Sequence, residues 1–199
     1  MQITIAIINS RGNTNPEWVE AAIASARSQY YRNAEIVIID NRDKLYTIGK
    51  CRNDAVKQAK GEYVFFLDDD DWISKDYLLN LAYIAKEYPK AKWISTSCFF
   101  VHEDKTEYRE EAPIGMWRKD FLLEKPFPEN VVRYEDVILH KEIQDTEKVQ
   151  ALHIAGYFYR QHNHMNSFKK AKIKEELKED IKCLSLEIEN IIKNKNVIA

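Results

Sequence analysis

The chain lacks an excess of charge of either sign: 30 lysines and arginines stand against 32 aspartates and glutamates, for a net charge of −2. That balance carries no global signal for nucleic acid or an anionic membrane and leaves only local patches to consider. No apolar run approaches the ~18 residues of a membrane span. There is no Ser/Gly-rich linker, no low-complexity tract and no internal repeat. Cysteine is scarce too. Cys51, Cys98 and Cys183 are odd in number and far apart, which excludes a disulfide framework or a paired metal knuckle and fits reduced thiols. Met1–Ile5 enters a strand-like run with no basic region or small-residue cleavage site. The expectation is a cytoplasmic protein, at most peripheral to a membrane.

What is present is core material, 45% hydrophobic and 12% aromatic residues in 199, enough for one domain with a sizeable interior. The most informative stretch is Gly61-Glu62-Tyr63-Val64-Phe65-Phe66-Leu67 running into Asp68-Asp69-Asp70-Asp71-Trp72. The apolar part reads as a strand buried on both faces. Four adjacent carboxylates raise one another's pKa, and a divalent cation with oxygen ligands would relieve them. A solvated turn whose Asp71 or Ser74 caps the next helix is the other reading.

Upstream, Ile3–Ile8 is an apolar strand ending in the polar turn Asn9-Ser10-Arg11-Gly12-Asn13. Pro16 opens a helix reaching about Tyr30. Glu35–Ile39 is a second buried strand stopped by Asp40-Asn41, and a helix covers Thr47–Ala59. A third helix runs from Ser74 to Glu87. This β-α-β-α-β-α order predicts a parallel sheet with right-handed crossovers. Ligands bind beyond the carboxyl ends of such strands, so Asn9-Ser10-Arg11, Asp40-Asn41 and Asp68–Asp71 should share one crevice. After Pro89 come strands over Lys92–Val101 and Thr106–Arg109 and a short helix after Gly115–Lys119. A helix over Asp136–Gln144 and a strand over Ala151–Tyr159 follow. Ile173, Leu177, Ile181, Leu184, Ile188 and Ile191 set one apolar stripe on a long helix from Phe168 to Lys193, either packed on its own domain or forming a homodimer seam.

These motifs, in this order, resemble glycosyltransferase family 2, inverting nucleotide-sugar enzymes of the GT-A fold. Glu35-Ile36-Val37-Ile38-Ile39-Asp40-Asn41 is similar to the family's second strand. Gly49-Lys50-Cys51-Arg52-Asn53 with Gly61–Asp71 resembles its Arg-Asn segment and Asp-X-Asp motif. Glu135-Asp136 resembles the later acidic pair, and Tyr159-Arg160-Gln161-His162 a downstream Tyr-Arg-X-His stretch. The first strand departs from the family, with Ile8-Asn9-Ser10 where a Pro-Thr pair is usual.

The resemblance implies a mostly parallel, Rossmann-like sheet flanked by helices with a long C-terminal helix. It implies one domain, with a nucleotide-sugar half at 1–100, an acceptor and catalytic half at 101–167 and a helix at 168–195. It assigns the donor, a UDP-sugar, to Asn9, Ser10, Arg11, Asp40, Arg52, Asn53, Asp68 and Asp69. Mn²⁺ or Mg²⁺ falls to Asp70 and Asp68, with His162 as a further ligand and His164 close enough to be confused with it. Asp136 is the base, with Glu135 its competitor, and Trp117 and Arg118 contact the acceptor. The family's default acceptor is a surface glycan or lipid-linked precursor. A modified DNA base is the alternative, carried by basic Arg118, Lys119, Lys125 and Arg133. A nucleotidyltransferase would need a Gly-rich phosphate loop that Ser10-Arg11-Gly12 barely suggests. An inactive nucleotide- or metal-binding module would not need acids on both sides of the reaction.

Overall fold

The computed structural model describes residues 1–110, 115–131 and 133–162. The expected C-terminal helix and its dimer seam, His164 and Cys183 lie outside them. Strand β1 (Ile3–Asn9), helix α1 (Pro16–Arg27), β2 (Ala34–Asp40), α2 (Ile48–Gln58) and β3 (Tyr63–Leu67) follow the expected order. Then come β4 (Trp72–Ile73), α3 (Tyr77–Glu87), β5 (Trp93–Val101), β6 (Thr106–Arg109) and β7 (Gly115–Arg118). Helices α4 (Lys119–Glu124) and α5 (Glu135–His140) and the long β8 (Lys148–Arg160) complete the described chain.

The sheet order is β2-β1-β3-β7-β5-β8-β4, with β6 added beside β5. β1 lies parallel to both β2 and β3, so Asn9 stands opposite Asp40 and Ile7 opposite Leu67. The two-residue period of β1 then sorts its side chains. Ile3, Ile5 and Ile7 face a core shared with Ala22, Tyr77, Leu78 and Leu81. Ala6 and Ile8 face a second core with Cys51, Ala55, Trp93, Trp117, Phe121 and Phe127. Each large side chain so buried contributes about 1.5–3 kcal/mol. The second strand is not buried as its apolar run suggests: β2 is the sheet edge, and Ile38 is 42% exposed.

The sheet is mixed rather than uniformly parallel beyond β3. β7 inserts antiparallel between β3 and β5, and β4 pairs antiparallel with β8. One face of α2 is fixed to the segment after α4. Thr47 caps the helix by accepting from Lys50 N (3.2 Å) and donates its hydroxyl to Glu129 O (2.9 Å). Asn53 accepts from Phe127 N and donates to Phe127 O, each at 2.9 Å. Gly49 is obligatory at this seam, because a Cβ there would sit 2.2 Å from the Pro128 carbonyl oxygen.

Candidate active site

The four aspartates after β3 divide by what holds them. Asp69 turns inward and accepts from Ser10 N (2.6 Å), Arg11 N (2.8 Å) and the Arg11 guanidinium. It organises the turn leaving β1, and both its oxygens are taken there. Asp70 Oδ2 receives Arg11 Nη2 at 2.8 Å and lies 2.7 Å from His162 Nε2. Asp71 is buried, accepting from the Tyr157 hydroxyl (2.6 Å) and Arg160 N (2.8 Å). Asp68 remains open, 49% exposed, 4.0 Å from Arg52.

Oxygens of Asp68, Asp70 and Asp71 lie within 4.8 Å of one another. Loss of part of its hydration pushes the Asp68 carboxyl up to about 7 against the pull of Arg52, and Asp70 and Asp69 add to the rise. Burial, then Asp70 and Asp68, raise Asp71 well above the ordinary carboxylate range. Burial opposes the charge of Arg11, yet Asp70 and Asp69 outweigh it and raise its pKa. An all-oxygen donor set with one imidazole beside it suits Mg²⁺ or Mn²⁺. Asp68, half open, and Asp70 Oδ1 are the oxygens best placed to serve.

The charge cluster has a pH signature. A carboxyl whose folded pKa exceeds its unfolded value binds more protons when folded, so stability falls as pH rises between the two. For Asp68 that window runs from 3.8 to about 7. In chelator, Asp68→Asn is therefore expected to melt above the wild type at pH 8 and to lose that advantage at pH 5. Equal melting temperatures at pH 8 would contradict the picture of strained charge at this position.

Three further features tie the downstream chain to the cluster. The Arg160 guanidinium lies between the Trp18 and Trp72 rings, 4.9 and 4.8 Å from their centroids, and donates Nε to Asp70 O (2.8 Å). The Trp18 ring also meets that of His162 at 4.8 Å. Sequence reasoning gave Trp18 and Tyr157 no site role. Both hide within apolar patterns, and only the adjacency of Arg160 and His162 to a recognisable stretch hinted at them.

Arg52 joins the cluster to α5. Its Nη1 lies 2.9 Å from Glu135 Oε1 and 3.6 Å from Asp136 Oδ2. Glu135 is buried, while the Asp136 side chain is 27% exposed and accepts from Val137 N through Oδ1. Tyr134, with φ of 65°, turns the chain sharply into α5, a conformation that non-glycine residues keep where surroundings impose it.

Other expected site residues are engaged within the fold. Asp40 closes on Arg42 at 2.6 Å beside Asn9, whose own Oδ1 accepts from Gly12 N. The Asn53 amide is fully engaged by Phe127 and Glu129. Trp117, 3% exposed, is core against Phe121 and Phe127. Arg118 pairs with Asp120 and lies opposite Tyr63, the first residue of β3. Because β7 runs antiparallel, Arg118 lies toward the end of the sheet away from Asp68, about 17 Å back along the strand at ~3.3 Å per residue. In the structure Trp117 is thus a core residue and Arg118 stands at the opposite end of β3 from Asp68. Of the basic group, Arg118 pairs with Asp120, Lys119 Nζ donates to Ala59 O and Lys125 pairs with Glu142.

A family model described as Glycosyl transferase family 2 matches residues 45–158. A poly(ribitol-phosphate) beta-glucosyltransferase of Bacillus spizizenii is 41% identical over 61 residues, 30% of this chain and 10% of that protein. The poly(ribitol-phosphate) beta-N-acetylglucosaminyltransferase TarS of Staphylococcus aureus is 27% identical over 142 residues, 60% of this chain and 25% of that one. The crystal structure of S. aureus TarS 1–349 in complex with UDP-GlcNAc superposes with a TM-score of 0.72 at 19% identity, covering 94% of this chain and 66% of that one. The chain thus spans a tenth and a quarter of the length of these two curated relatives.

Proposed function

Because the chain belongs to glycosyl transferase family 2, we propose that it transfers a sugar from a UDP-sugar to a hydroxyl of a polyol-phosphate surface polymer. The reaction is metal-dependent and inverts the sugar carbon. One observation carries the reading: a single buried arginine bridges the open carboxylate of the Asp68–Asp71 cluster and the acidic start of α5. Candidate donor-side and acceptor-side acids therefore meet at one end of the sheet. The choice of donor and acceptor rests on the relatives. TarS has been crystallised with UDP-GlcNAc, and both poly(ribitol-phosphate) enzymes modify the same kind of polymer.

In this reading Asp68 and Asp70 hold Mn²⁺ or Mg²⁺, with His162 fixing Asp70 and Asp71 closing the cluster. When bound, the ion neutralises charge gathering on the departing diphosphate. Arg11, anchored by Asp69, adds a fixed positive charge beside Asp70. Asn9 and Asp40 border the crevice where the nucleoside would lie. Asp136 takes the proton from the acceptor hydroxyl, its open carboxylate being freer than that of buried Glu135; a base opposite the leaving group gives inversion. Residues 1–100 supply most of the donor side, but Tyr157, Arg160 and His162 complete it from the 101–167 half. Among the described residues no helix is long and apolar enough to cross a membrane.

The test is transfer to poly(ribitol phosphate) oligomers from UDP-GlcNAc and UDP-glucose, with Mn²⁺, Mg²⁺ or chelator. The expected result is metal-dependent UDP release and a mass increment on the oligomer with one donor. Thermal stabilisation should follow the same base and metal preference. No turnover and no nucleotide-dependent shift in melting temperature with any donor would sink the reading.

A further inference from the structure

Arg52 was expected to approach the nucleotide, but its surroundings describe another task. Its side chain is 12% exposed and faces three carboxylates: Glu135 at 2.9 Å, Asp136 at 3.6 Å and Asp68 at 4.0 Å. The guanidinium lies against two rings, 5.2 Å from the Phe66 centroid and 5.4 Å from that of Phe127. Phe66 belongs to β3, whose end carries Asp68. Phe127 is held through both its backbone N–H and C=O by Asn53, the neighbour of Arg52 on α2. Gly49, one turn earlier, lets α2 approach the Pro128 carbonyl where no Cβ would fit. The arginine is therefore packed beside the seam between α2 and residues 127–129, with its charge turned to the three carboxylates.

One positive charge surrounded by three negative ones is also unequally shared. Glu135 is buried and closest, and Asp136 is more exposed and farther away. A fixed, permanently charged, planar cation between two adjacent carboxylates draws both toward it and sets their directions.

We infer that Arg52 is the positioning residue of the catalytic base: Glu135 is its constant counter-ion, Asp136 is the carboxylate left open to work, and Asp68 ties the same cation to the donor end. This rests on the transferase reading above. It gives the Arg-Asn segment of α2 a structural purpose on both sides: Asn53 fixes the ring that holds Arg52, and Arg52 fixes the acids. Asp136 pairs with Arg52 from α2, the cation that its neighbour Glu135 and, from the end of β3, Asp68 also face. Removing Arg52 or Glu135 should therefore displace the working carboxylate's titration in opposite directions.

The experiment is steady-state transfer by the full chain, from the donor it turns over to poly(ribitol phosphate), as a function of pH. Arg52→Gln is expected to lower kcat about 100-fold, the scale of a misplaced catalytic group, with donor KM little changed and the acid limb of the kcat profile moved to higher pH. Arg52→Lys should restore part of the loss, because it returns the charge without the planar fork. Glu135→Gln leaves Arg52 and its rings in place, so it serves even if Arg52→Gln folds poorly; it should move the acid limb to lower pH as Asp136 gains the whole guanidinium. A raised donor KM with kcat preserved in Arg52→Gln would make Arg52 a donor ligand and overturn the inference. Acid limbs unmoved in the folded variants would overturn it as well. If Asp136→Asn is inactive while Arg52→Gln behaves as wild type, only this inference fails; if Asp136→Asn is active, the underlying assignment of the base fails.

Discussion

Asp136→Asn is expected to lower kcat by about 10²–10⁴-fold, the usual contribution of a positioned general base, with the melting temperature and donor affinity close to wild type. The geometry makes the substitution clean. Asp136 Oδ1 already accepts from Val137 N at 2.8 Å, and an asparagine oxygen can keep that bond. The other oxygen, 3.6 Å from Arg52, makes only a loose ion pair. The amide that replaces it cannot take a proton, so basicity is lost while the start of α5 is kept. The measurement is UDP release and product formation with and without acceptor, beside a titration of the UDP-sugar by calorimetry. Turnover equal to wild type would remove Asp136 from the mechanism and return Glu135 as the candidate, despite its burial and its 2.9 Å pair with Arg52.

The second large effect separates two neighbours in the acidic run. Asp70→Asn should keep the fold yet lose metal-stimulated turnover by about 10³-fold, since a Lewis acid on the leaving group supplies several kcal/mol. Asp69→Ala should do the reverse in kind. It deletes acceptors for Ser10 N, Arg11 N and the Arg11 guanidinium; a hydrogen bond to a charged group is worth about 1.5–3 kcal/mol, so chemical denaturation should show a loss of at least that size. Any fall in activity should then accompany disorder of the Asn9–Arg11 turn and be relieved in part at low temperature. If Asp70→Asn unfolds the protein and Asp69→Ala leaves stability untouched, the division of roles drawn from the contacts is wrong.

The donor half was legible because its signals are long and redundant. Three apolar runs each end in a polar turn, and two helices stand between them, so the alternation admits little besides a parallel sheet with those turns at one end. The place of the acidic run at the end of β3 followed from that alternation. The burial of β2 was misjudged because an edge strand and a central one can carry the same Ile-Val-Ile-Ile run; position in the sheet, which no local window contains, decides exposure. The surroundings of Trp117 and Arg118 were hidden for a related reason. Gly115–Arg118 is four residues long, too short for a period to show, and it read as the approach to α4. Once it is a strand antiparallel to β3, its direction sends Arg118 to the far end of the sheet. The roles within Asp68–Asp71 were only partly visible: that Asp69 faces the β1 turn and Asp71 faces Tyr157 depends on side-chain directions at a bend. Arg52 was recognisable by motif but ambiguous in purpose, because its partners arrive some eighty residues later in a region of weak pattern, a separation across which only tertiary packing speaks.

The insertion of β7 between β3 and β5 also bears on how the molecule is made. Val64 and Phe65 find their partners in Trp117 and Met116, about fifty residues downstream, the kind of non-local pairing that slows folding. A nascent chain that has built β1, β2 and β3 holds the central strand of its eventual sheet with one side bare. That bare side is apolar and unpaired, the type of edge that recruits other chains. The four residues of β7 therefore act as a closure: until they are synthesised and docked, the donor half is a template for misassembly. Deletion of Gly115–Arg118 should be tolerated far less well than a break at the exposed turn between β5 and β6.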